Sequence, residues 1–192
     1  GKLGTAILTR LEPDFVELQV CLDSPPPPPT PVTLLLALPR PKMLRRVLQS
    51  VTSLGVKRIF LMNCFRVEKS FWGSPLLQPE RLHEQLLLGL EQGCDTLLPE
   101  IQLRRRFKPF VEDELPALCR GTQMLVAHPS GVASTLEQIV PPATLAIGPE
   151  GGFIPYELEK LVACGFSPYS LGSRILRVET AVPTLLSRFL PV

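Results

Sequence analysis

The sequence has no apolar run long enough to cross a membrane. Its longest nearly uninterrupted stretch, Val32 to Leu38, is seven residues, whereas a membrane-spanning helix needs roughly 20. A buried strand is the better interpretation of this stretch. Before it there is neither a charged segment followed by an apolar one nor a cleavage pattern, so we expect no secretory signal. These absences predict a cytoplasmic protein.

Cysteine and histidine are too few and too scattered to predict a metal centre. The five cysteines contain no C-x-x-C pair, and only two histidines are present. A structural zinc site would need a cluster of such side chains. We therefore predict no metal and expect reduced thiols, as in the cytoplasm.

The net charge does not by itself indicate nucleic-acid binding, because the formal value is only +2. Any surface for nucleic acid must come from local clustering. Two clusters exist, Arg40, Lys42, Arg45 and Arg46, and Arg104, Arg105, Arg106 and Lys108. Solvated surface charge is the alternative for both, less so for the second, because three adjacent arginines repel one another without an anionic partner.

The remaining composition, 45% hydrophobic and 20% charged, predicts a globular chain. Residues 3–9 and 14–21 alternate as two strands, and residues 1–24 are too few for a domain. Residues 25–31 hold six prolines, which indicates a stiff extended linker. Recruitment of an SH3-like partner is the alternative. Residues 32–192 form the main domain.

Within that domain, strand and helix patterns alternate. Strands are expected at 33–38, 57–62, 123–127, 144–147 and 168–171. Helices are expected from about 43 to Gly55, at 79–92 and 155–164, and from about 179. The first β-α-β unit implies a parallel sheet, so the fold class is α/β.

Chemistry is expected in three loops that follow strands, since ligands of parallel sheets bind outside the carboxyl ends of strands. The first is Gly148-Pro149-Glu150-Gly151-Gly152, the second is Leu171 to Thr180, and the third begins at His128-Pro129. Each loop has an alternative interpretation. The first could be an ordinary turn, the second could hold only a structural ion pair, and the histidine of the third could be structural.

Together these loops resemble the RsmE-type family of ribosomal RNA uridine-N3 methyltransferases, within the SPOUT superfamily. The motifs that carry the resemblance are Ile147 to Phe153, Ser170 to Arg177 and Glu179 to Ala181. Shorter matches upstream are Leu36 to Pro39, Thr52, Leu54 to Val56, Glu91-Gln92 and Pro99 to Ile101. The similarity covers roughly residues 33–190. The chain departs from the family pattern at Pro41-Lys42-Met43, Ser53 and Asp95.

The resemblance implies a deep trefoil knot, a homodimer and S-adenosylmethionine held between three loops. It also implies an N-terminal PUA-like RNA-binding barrel, of which residues 1–24 would be the last strands. The cofactor-binding residues it implies are His128, Pro129, Ile147, Gly148, Pro149, Glu150, Gly151, Gly152, Leu171, Gly172, Ser173, Ile175 and Leu176.

For catalysis, the expectation is that Arg177 stabilises the developing oxyanion of the base or orients the base and phosphate. Glu179 and Glu150 are the candidates to position Arg177, take up a proton or orient the cofactor. The candidate RNA contacts are Arg40, Lys42, Arg104, Arg105, Arg106 and Arg174. The expected substrate is 16S ribosomal RNA or the small ribosomal subunit.

Two alternatives remain at this point. The chain could methylate another RNA, such as transfer RNA, or be a non-catalytic RNA-binding or ribosome-assembly factor on the same scaffold. The apolar stripe Ala181, Val182, Leu185, Leu186 and Phe189 further indicates an interface with a second subunit, with packing in its own core as the alternative.

Overall fold

The computed structural model describes residues 1–133 and 139–190, and for residues 130–133 the backbone only. The end of the predicted domain at 192 lies outside these residues. The strands are β1 (Leu3–Glu12), β2 (Phe15–Ser24), β3 (Val32–Ala37), β4 (Arg58–Met62), β5 (Glu100–Arg104), β6 (Gln123–Ala133), β7 (Ala143–Ile147) and β8 (Ser167–Ser170). The α-helices are α1 (Pro41–Ser53), α2 (Pro79–Gly93), α3 (Phe107–Pro109), α4 (Leu115–Leu118), α5 (Pro155–Ala163) and α6 (Val178–Leu186). Short 3₁₀ turns cover Lys69–Gly73, Pro75–Leu77 and Ser187–Phe189, and a π-helical turn covers Phe110–Glu114.

Six of these strands form one parallel sheet in the order β5-β4-β3-β7-β6-β8. At its centre, Leu34 lies opposite both Ile59 of β4 and Leu145 of β7. Strand β7 is buried along its whole length and β3 along most of it, as expected for parallel strands covered on both faces. The α/β prediction is confirmed, and all carboxyl ends of the sheet lie at one edge.

Helix α1 shows why the predicted β-α-β unit forms. Pro41 occupies its first turn, where the missing N–H costs nothing. Leu44, Leu48 and Val51 place one apolar face in the core. Gly55 follows the helix with a φ of 80°, which glycine adopts without strain, as predicted for a residue that ends a helix.

Strand β5 and the turns on either side of it were not predicted. The strand is short and half polar, and only Ile101 and Leu103 mark its inward face. Its last residue, Arg104, is the first arginine of a basic cluster, so the alternation extends over only five residues. Strand β6 is also longer than predicted: Ala127 and Val132 both pair with Tyr169, so residues 128–131 are looped out within it.

The last helix corrects one prediction. Val182, Leu185 and Leu186 are buried in the domain's own core, as is Phe189 just beyond the helix, and only Ala181 is half-buried. These side chains are already covered within one chain, so the prediction that their stripe packs on a second subunit is wrong. Helix α6 instead packs against α1.

The hairpin of β1 and β2 is antiparallel and forms a sheet of its own. Both of its faces are exposed, including the large apolar side chains of Ile7, Leu8, Leu11, Phe15, Val16, Leu18, Val20 and Leu22. Residues 25–31 form neither helix nor strand. Where they end, the Thr30 N–H donates to the Gly55 carbonyl at 3.0 Å. No helix of the described residues is long and apolar enough to span a membrane.

Asp95, one of the departures from the family pattern, has a local partner. Its carboxylate lies 2.5 Å from the Lys57 ammonium, and both side chains are largely buried. Burial alone would raise the pKa of Asp95, but Lys57 and the backbone N–H groups of Leu97 and Thr96 hold it below its usual value. The pair stabilises the approach to β5, and so Asp95 does not face a ligand.

Close packing of α1 on α2 depends on Gly89. A Cβ at this position would lie 2.7 Å from the Gln49 carbonyl oxygen and 2.6 Å from Thr52 Cβ. We therefore predict that Gly89→Ala lowers the free energy of unfolding by about 1–3 kcal/mol, despite the higher helix propensity of alanine. Urea denaturation would measure this change. Gly73→Ala, where a Cβ meets nothing within 4 Å, is the control. Equal stability of wild type and Gly89→Ala would contradict the packing described.

Candidate functional site

Strands β7 and β8 end at one cavity, and the looped-out segment within β6 reaches the same place. Strands β7, β6 and β8 are adjacent in the sheet, and the chain following Ile147, Ala127 and Ser170 lines a cavity of about 310 Å³. This volume is within the usual range for small-molecule sites. The carboxyl-end rule thus brings together three loops that are far apart in sequence.

The cavity contains twelve of the thirteen residues predicted to bind a cofactor; Ser173 is the exception. It is also lined by Arg174, which was predicted to contact RNA. The cofactor-binding residues named from the sequence did not include the lining residues Ala127, Tyr169, Ser170, Val178, Ala181 and Leu185, although Ser170, Val178 and Ala181 lie within the motifs and loop singled out there. All of them lie in or beside predicted strands or the last helix, and alternation along β8 was the only signal that could have found Tyr169.

Two glycines shape the cavity wall. Gly152 has a φ of 74° and Gly172 a φ of 115°, conformations that other residues rarely adopt. A Cβ on either would meet no protein atom within 4 Å. The Ser170 hydroxyl donates to the Gly172 carbonyl at 3.0 Å and accepts from its N–H at 3.2 Å. The backbone at both positions is therefore open to a ligand.

Gly151 differs from Gly152, although the sequence grouped them. A Cβ on Gly151 would lie 2.9 Å from the Cδ atom of Arg66, outside the loop. The Arg66 guanidinium donates a hydrogen bond to the Gly151 carbonyl. Arg66 was not singled out in the sequence, since nothing there pairs position 66 with position 151. Glycine at 151 is therefore not required by φ, and a Cβ there would displace only the flexible end of the Arg66 side chain.

The buried carboxylate of Glu157 joins the glycine-rich loop to the loop after β4. One oxygen accepts the Phe65 N–H at 2.7 Å, and the other accepts the Ile154 N–H at 3.1 Å. Ile154 precedes α5, so the second bond is the acidic half of a capping box. Burial raises the pKa of the nearby Cys64 thiol, and the Glu157 carboxylate raises it further. Cys64 is therefore a neutral thiol, not a nucleophile.

The three residues predicted to be catalytic are placed differently. Glu150 lines the cavity, and its carboxylate lies 3.5 Å from the Arg40 N–H. Arg177 and Glu179 lie at the start of α6, beside the lining residues Leu176 and Val178, but are not part of the wall. Among the described residues no ion pair joins Arg177 to Glu179. The Arg177 side chain is exposed next to the cavity mouth.

The residues predicted to contact RNA lie along the same edge of the sheet. One of them, Arg104, has different surroundings from the others. Arg40, Lys42, Arg105 and Arg106 are exposed after β3 and β5. Arg104 instead donates to the Glu114 carboxylate at 2.7 Å and to Gln102 at 2.5 Å. Its guanidinium also lies over the rings of Phe60 and Phe110. The anionic partner of Arg104 is therefore a carboxylate of this chain rather than an RNA phosphate.

In the described residues, no group of three histidine, cysteine, aspartate or glutamate side chains could hold a metal ion.

Comparison with known proteins gives consistent matches. The sequence profile of the RNA methyltransferase domain family matches residues 26–190. Ribosomal RNA small subunit methyltransferase E of Treponema pallidum is 34% identical over 150 residues, covering 76% of this chain and 56% of that protein. Ribosomal RNA small subunit methyltransferase E 1 of Borreliella burgdorferi is 29% identical over 147 residues, covering 77% and 61%. The chain thus spans less than two thirds of the length of these relatives.

Solved structures agree on the fold. A methyltransferase structure from Legionella pneumophila, in complex with its bound cofactor SAM, superposes with a TM-score of 0.72. The two chains are 26% identical, and the match covers 96% of this chain and 76% of that one.

The Glu157 bridge yields a stability prediction. Glu157→Gln should lower the free energy of unfolding by about 1–3 kcal/mol, because the amide NH₂ of the buried side chain would face a backbone N–H in place of an acceptor. Urea denaturation would measure the loss. The matched control is Glu159→Gln, which removes an exposed carboxylate from the same helix and should change stability by less than about 0.5 kcal/mol. Similar losses in both variants would show that the bridge contributes nothing specific.

Proposed function

The chain belongs to the RNA methyltransferase domain family, and on that premise we propose that it transfers a methyl group from S-adenosylmethionine to N3 of a uridine in 16S ribosomal RNA. The observation that carries the proposal is the cavity at the ends of β7 and β8 and beside the looped-out segment of β6, lined by His128-Pro129, by Ile147 to Gly152 and by all but Ser173 of Leu171 to Leu176. The names of the Treponema and Borreliella relatives support the substrate.

The cavity fits the cofactor. An adenine edge, ribose hydroxyls and a sulfonium can be held by backbone carbonyls and amides without a metal. Gly152 and Gly172 leave their backbone open toward the cavity. Apolar side chains such as Leu176 and Leu185 provide the remainder of the wall. The Legionella relative is solved with this cofactor bound.

When bound, S-adenosylmethionine supplies a methyl group activated by its sulfonium, and the remainder leaves as a neutral thioether. The residues of this chain must hold the uracil ring with N3 facing that methyl group and accept the N3 proton. Alignment of donor and acceptor is the larger effect, since orientation contributes of order 7–11 kcal/mol. The loops of β6, β7 and β8 that line the cavity provide this alignment.

We assign the charged roles by position. Glu150 is the carboxylate on the cavity wall, so it takes up the N3 proton as N3 bonds to the methyl carbon. Glu179 is the alternative acceptor at the start of α6. Arg177 stabilises the negative charge that develops on the uracil oxygens, because a planar guanidinium donates two parallel hydrogen bonds. Arg40, Lys42, Arg105, Arg106 and Arg174 contact the RNA.

We also propose a trefoil knot and a division of the chain into three segments. Strand β8 is at one edge of the sheet, yet the following helix α6 packs against α1, which connects β3 and β4. The chain must return across the ends of β6 and β7 between these points, and this course supports a trefoil knot. Residues 1–24, 25–31 and 32–192 are proposed as the barrel remnant, linker and methyltransferase domain. The exposed apolar faces of β1 and β2 support a larger barrel.

The proposed dimer now rests on a different surface from the α6 stripe. Ile175 lines the cavity although the residue is 84% exposed. A second subunit that covers Ile175 would complete the cavity wall. The cytoplasm is the proposed location, because the ribosomal RNA substrate is there.

Methyl transfer from labelled S-adenosylmethionine tests the proposal, with 16S ribosomal RNA, small subunits and transfer RNA as substrates and mass spectrometry of the modified nucleosides. We expect 3-methyluridine in 16S RNA. Arg177→Ala should lower kcat by roughly 100-fold, as when an oxyanion donor is lost, and Arg177→Lys should recover only part of it.

The control variant is Arg120→Ala, an exposed arginine just before β6 at the opposite edge of the sheet, which should keep full activity. If only transfer RNA is methylated, transfer RNA is the substrate and the proposal of 16S ribosomal RNA is wrong. The absence of saturable cofactor binding in calorimetry would instead favour the non-catalytic assembly factor.

A further inference from the structure

Beyond the cavity, the same edge of the sheet carries an aromatic and cationic pair that takes no part in the methyl-transfer step itself and whose cation was assigned above only a general contact with RNA. The Arg105 guanidinium lies 5.0 Å from the centre of the Trp72 ring. Arg105 also donates a hydrogen bond to the Trp72 carbonyl at 3.4 Å. Arg105 follows β5, and Trp72 lies in the 3₁₀ turn Lys69–Gly73 after β4. We call this pair the Trp72–Arg105 platform.

The indole is held from behind. Its Nε1–H donates to the Asn63 Oδ1 atom at 2.8 Å, and Asn63 follows β4 directly. The Asn63 N–H in turn donates to the Arg104 carbonyl at 2.8 Å. Trp72 is half-buried against the core, whereas Arg105 is exposed. A fixed ring therefore positions an exposed guanidinium, and a single hydrogen bond of Arg105 in the described residues leaves most of its five N–H donors for a ligand.

The platform is linked to the cavity by one continuous row of residues. Arg66, which follows Asn63 by three positions, holds the Gly151 carbonyl of the cavity wall. Phe65, which lies between Asn63 and Arg66 in the chain, exposes 78% of its surface. Strands β7 and β5 are three positions apart in the sheet, which places the platform roughly 14 Å from the end of β7. A short single-stranded segment could occupy both places at once.

The surroundings favour a nucleic acid over other ligands. Exposed cationic side chains lie along the same edge at Arg40, Lys42, Arg66, Lys69 and Arg106. Arginine planes and aromatic rings stack on unpaired bases, and flanking cations contact phosphates. A purely structural cation–π pair would need neither the exposed guanidinium nor these cations.

We propose that the Trp72–Arg105 platform stacks an unpaired base of the substrate RNA beside the nucleotide that enters the cavity. This inference rests on the proposed function, because it takes the RNA to be the methyl acceptor. The platform then selects RNA in which the target and a neighbouring base are both unpaired, and it acts on RNA binding rather than on the cofactor.

Trp72 is the one tryptophan in the sequence, so its emission reports directly on the platform. A 16S ribosomal RNA transcript is titrated into the wild-type chain while tryptophan emission is recorded. The expected result is a saturable change in emission at the RNA concentration that saturates binding. Unchanged emission with saturating RNA would overturn the proposal.

Variants separate stacking from charge. Arg105→Ala and Arg105→Lys should both weaken RNA binding by roughly 5- to 100-fold, since lysine restores the charge but not the stacking plane. The matched control is Arg106→Ala, which removes an adjacent exposed charge and should lower the salt dependence with a smaller loss of affinity. Trp72→Phe keeps a ring at the platform and should bind better than Trp72→Ala. Equal losses of RNA affinity in Arg105→Ala and Arg106→Ala, or full RNA binding by Arg105→Lys, would show that Arg105 contributes only its charge and would contradict stacking.

Two further measurements keep this inference separate from the proposed function. Affinity for S-adenosylmethionine, measured by calorimetry, should be the same in wild type and all platform variants; a loss in Arg105→Lys would contradict a role confined to RNA. If wild type methylates no RNA, the proposed function fails, while the emission and binding data still decide whether the platform stacks a base.

Discussion

The Glu157 carboxylate is the interaction on which the site depends, because it joins two loops that come from different parts of the sheet. It accepts the Phe65 N–H from the segment after β4 and the Ile154 N–H at the start of α5. Arg66, next to Phe65, then reaches the Gly151 carbonyl. The glycine-rich loop thus has an open conformation that the rest of the fold holds in place.

This arrangement gives the edge of the sheet two halves with different chemistry. The ends of β7 and β8 and the looped-out segment of β6 enclose a cavity with backbone groups and apolar side chains. The ends of β3, β4 and β5 expose cations and the Trp72–Arg105 platform. A small, partly apolar cofactor and a polyanion can therefore bind side by side, and the segment Asn63 to Val67 lies between them.

Much of the fold could be predicted because its signals are local. The buried strands β3 and β7, the glycine after α1 and the motif from Gly148 to Gly152 are each visible within a few residues. The cofactor loops could be grouped because parallel strands end at one edge. Strand β5 was missed because its alternation is short and half polar.

What the sequence could not provide were contacts between distant positions. Nothing local pairs Arg66 with Gly151, Glu157 with Phe65 or Arg105 with Trp72, since each pair depends on how the strands are ordered. The basic run at Arg104 to Arg106 looked uniform, yet Arg104 is committed to Glu114 and two aromatic rings. The apolar stripe of α6 had the right period, but only the packing shows that it faces its own core.

Hydrogen exchange measured by mass spectrometry, with and without S-adenosylmethionine, tests the central claim that the cofactor lies between the three loops. The account predicts slower exchange in the segments containing Gly148 to Gly152, Leu171 to Leu176 and Ala127 to Pro129, and no change in β1 or β2. Protection confined to other segments, or none at saturating cofactor, would contradict it.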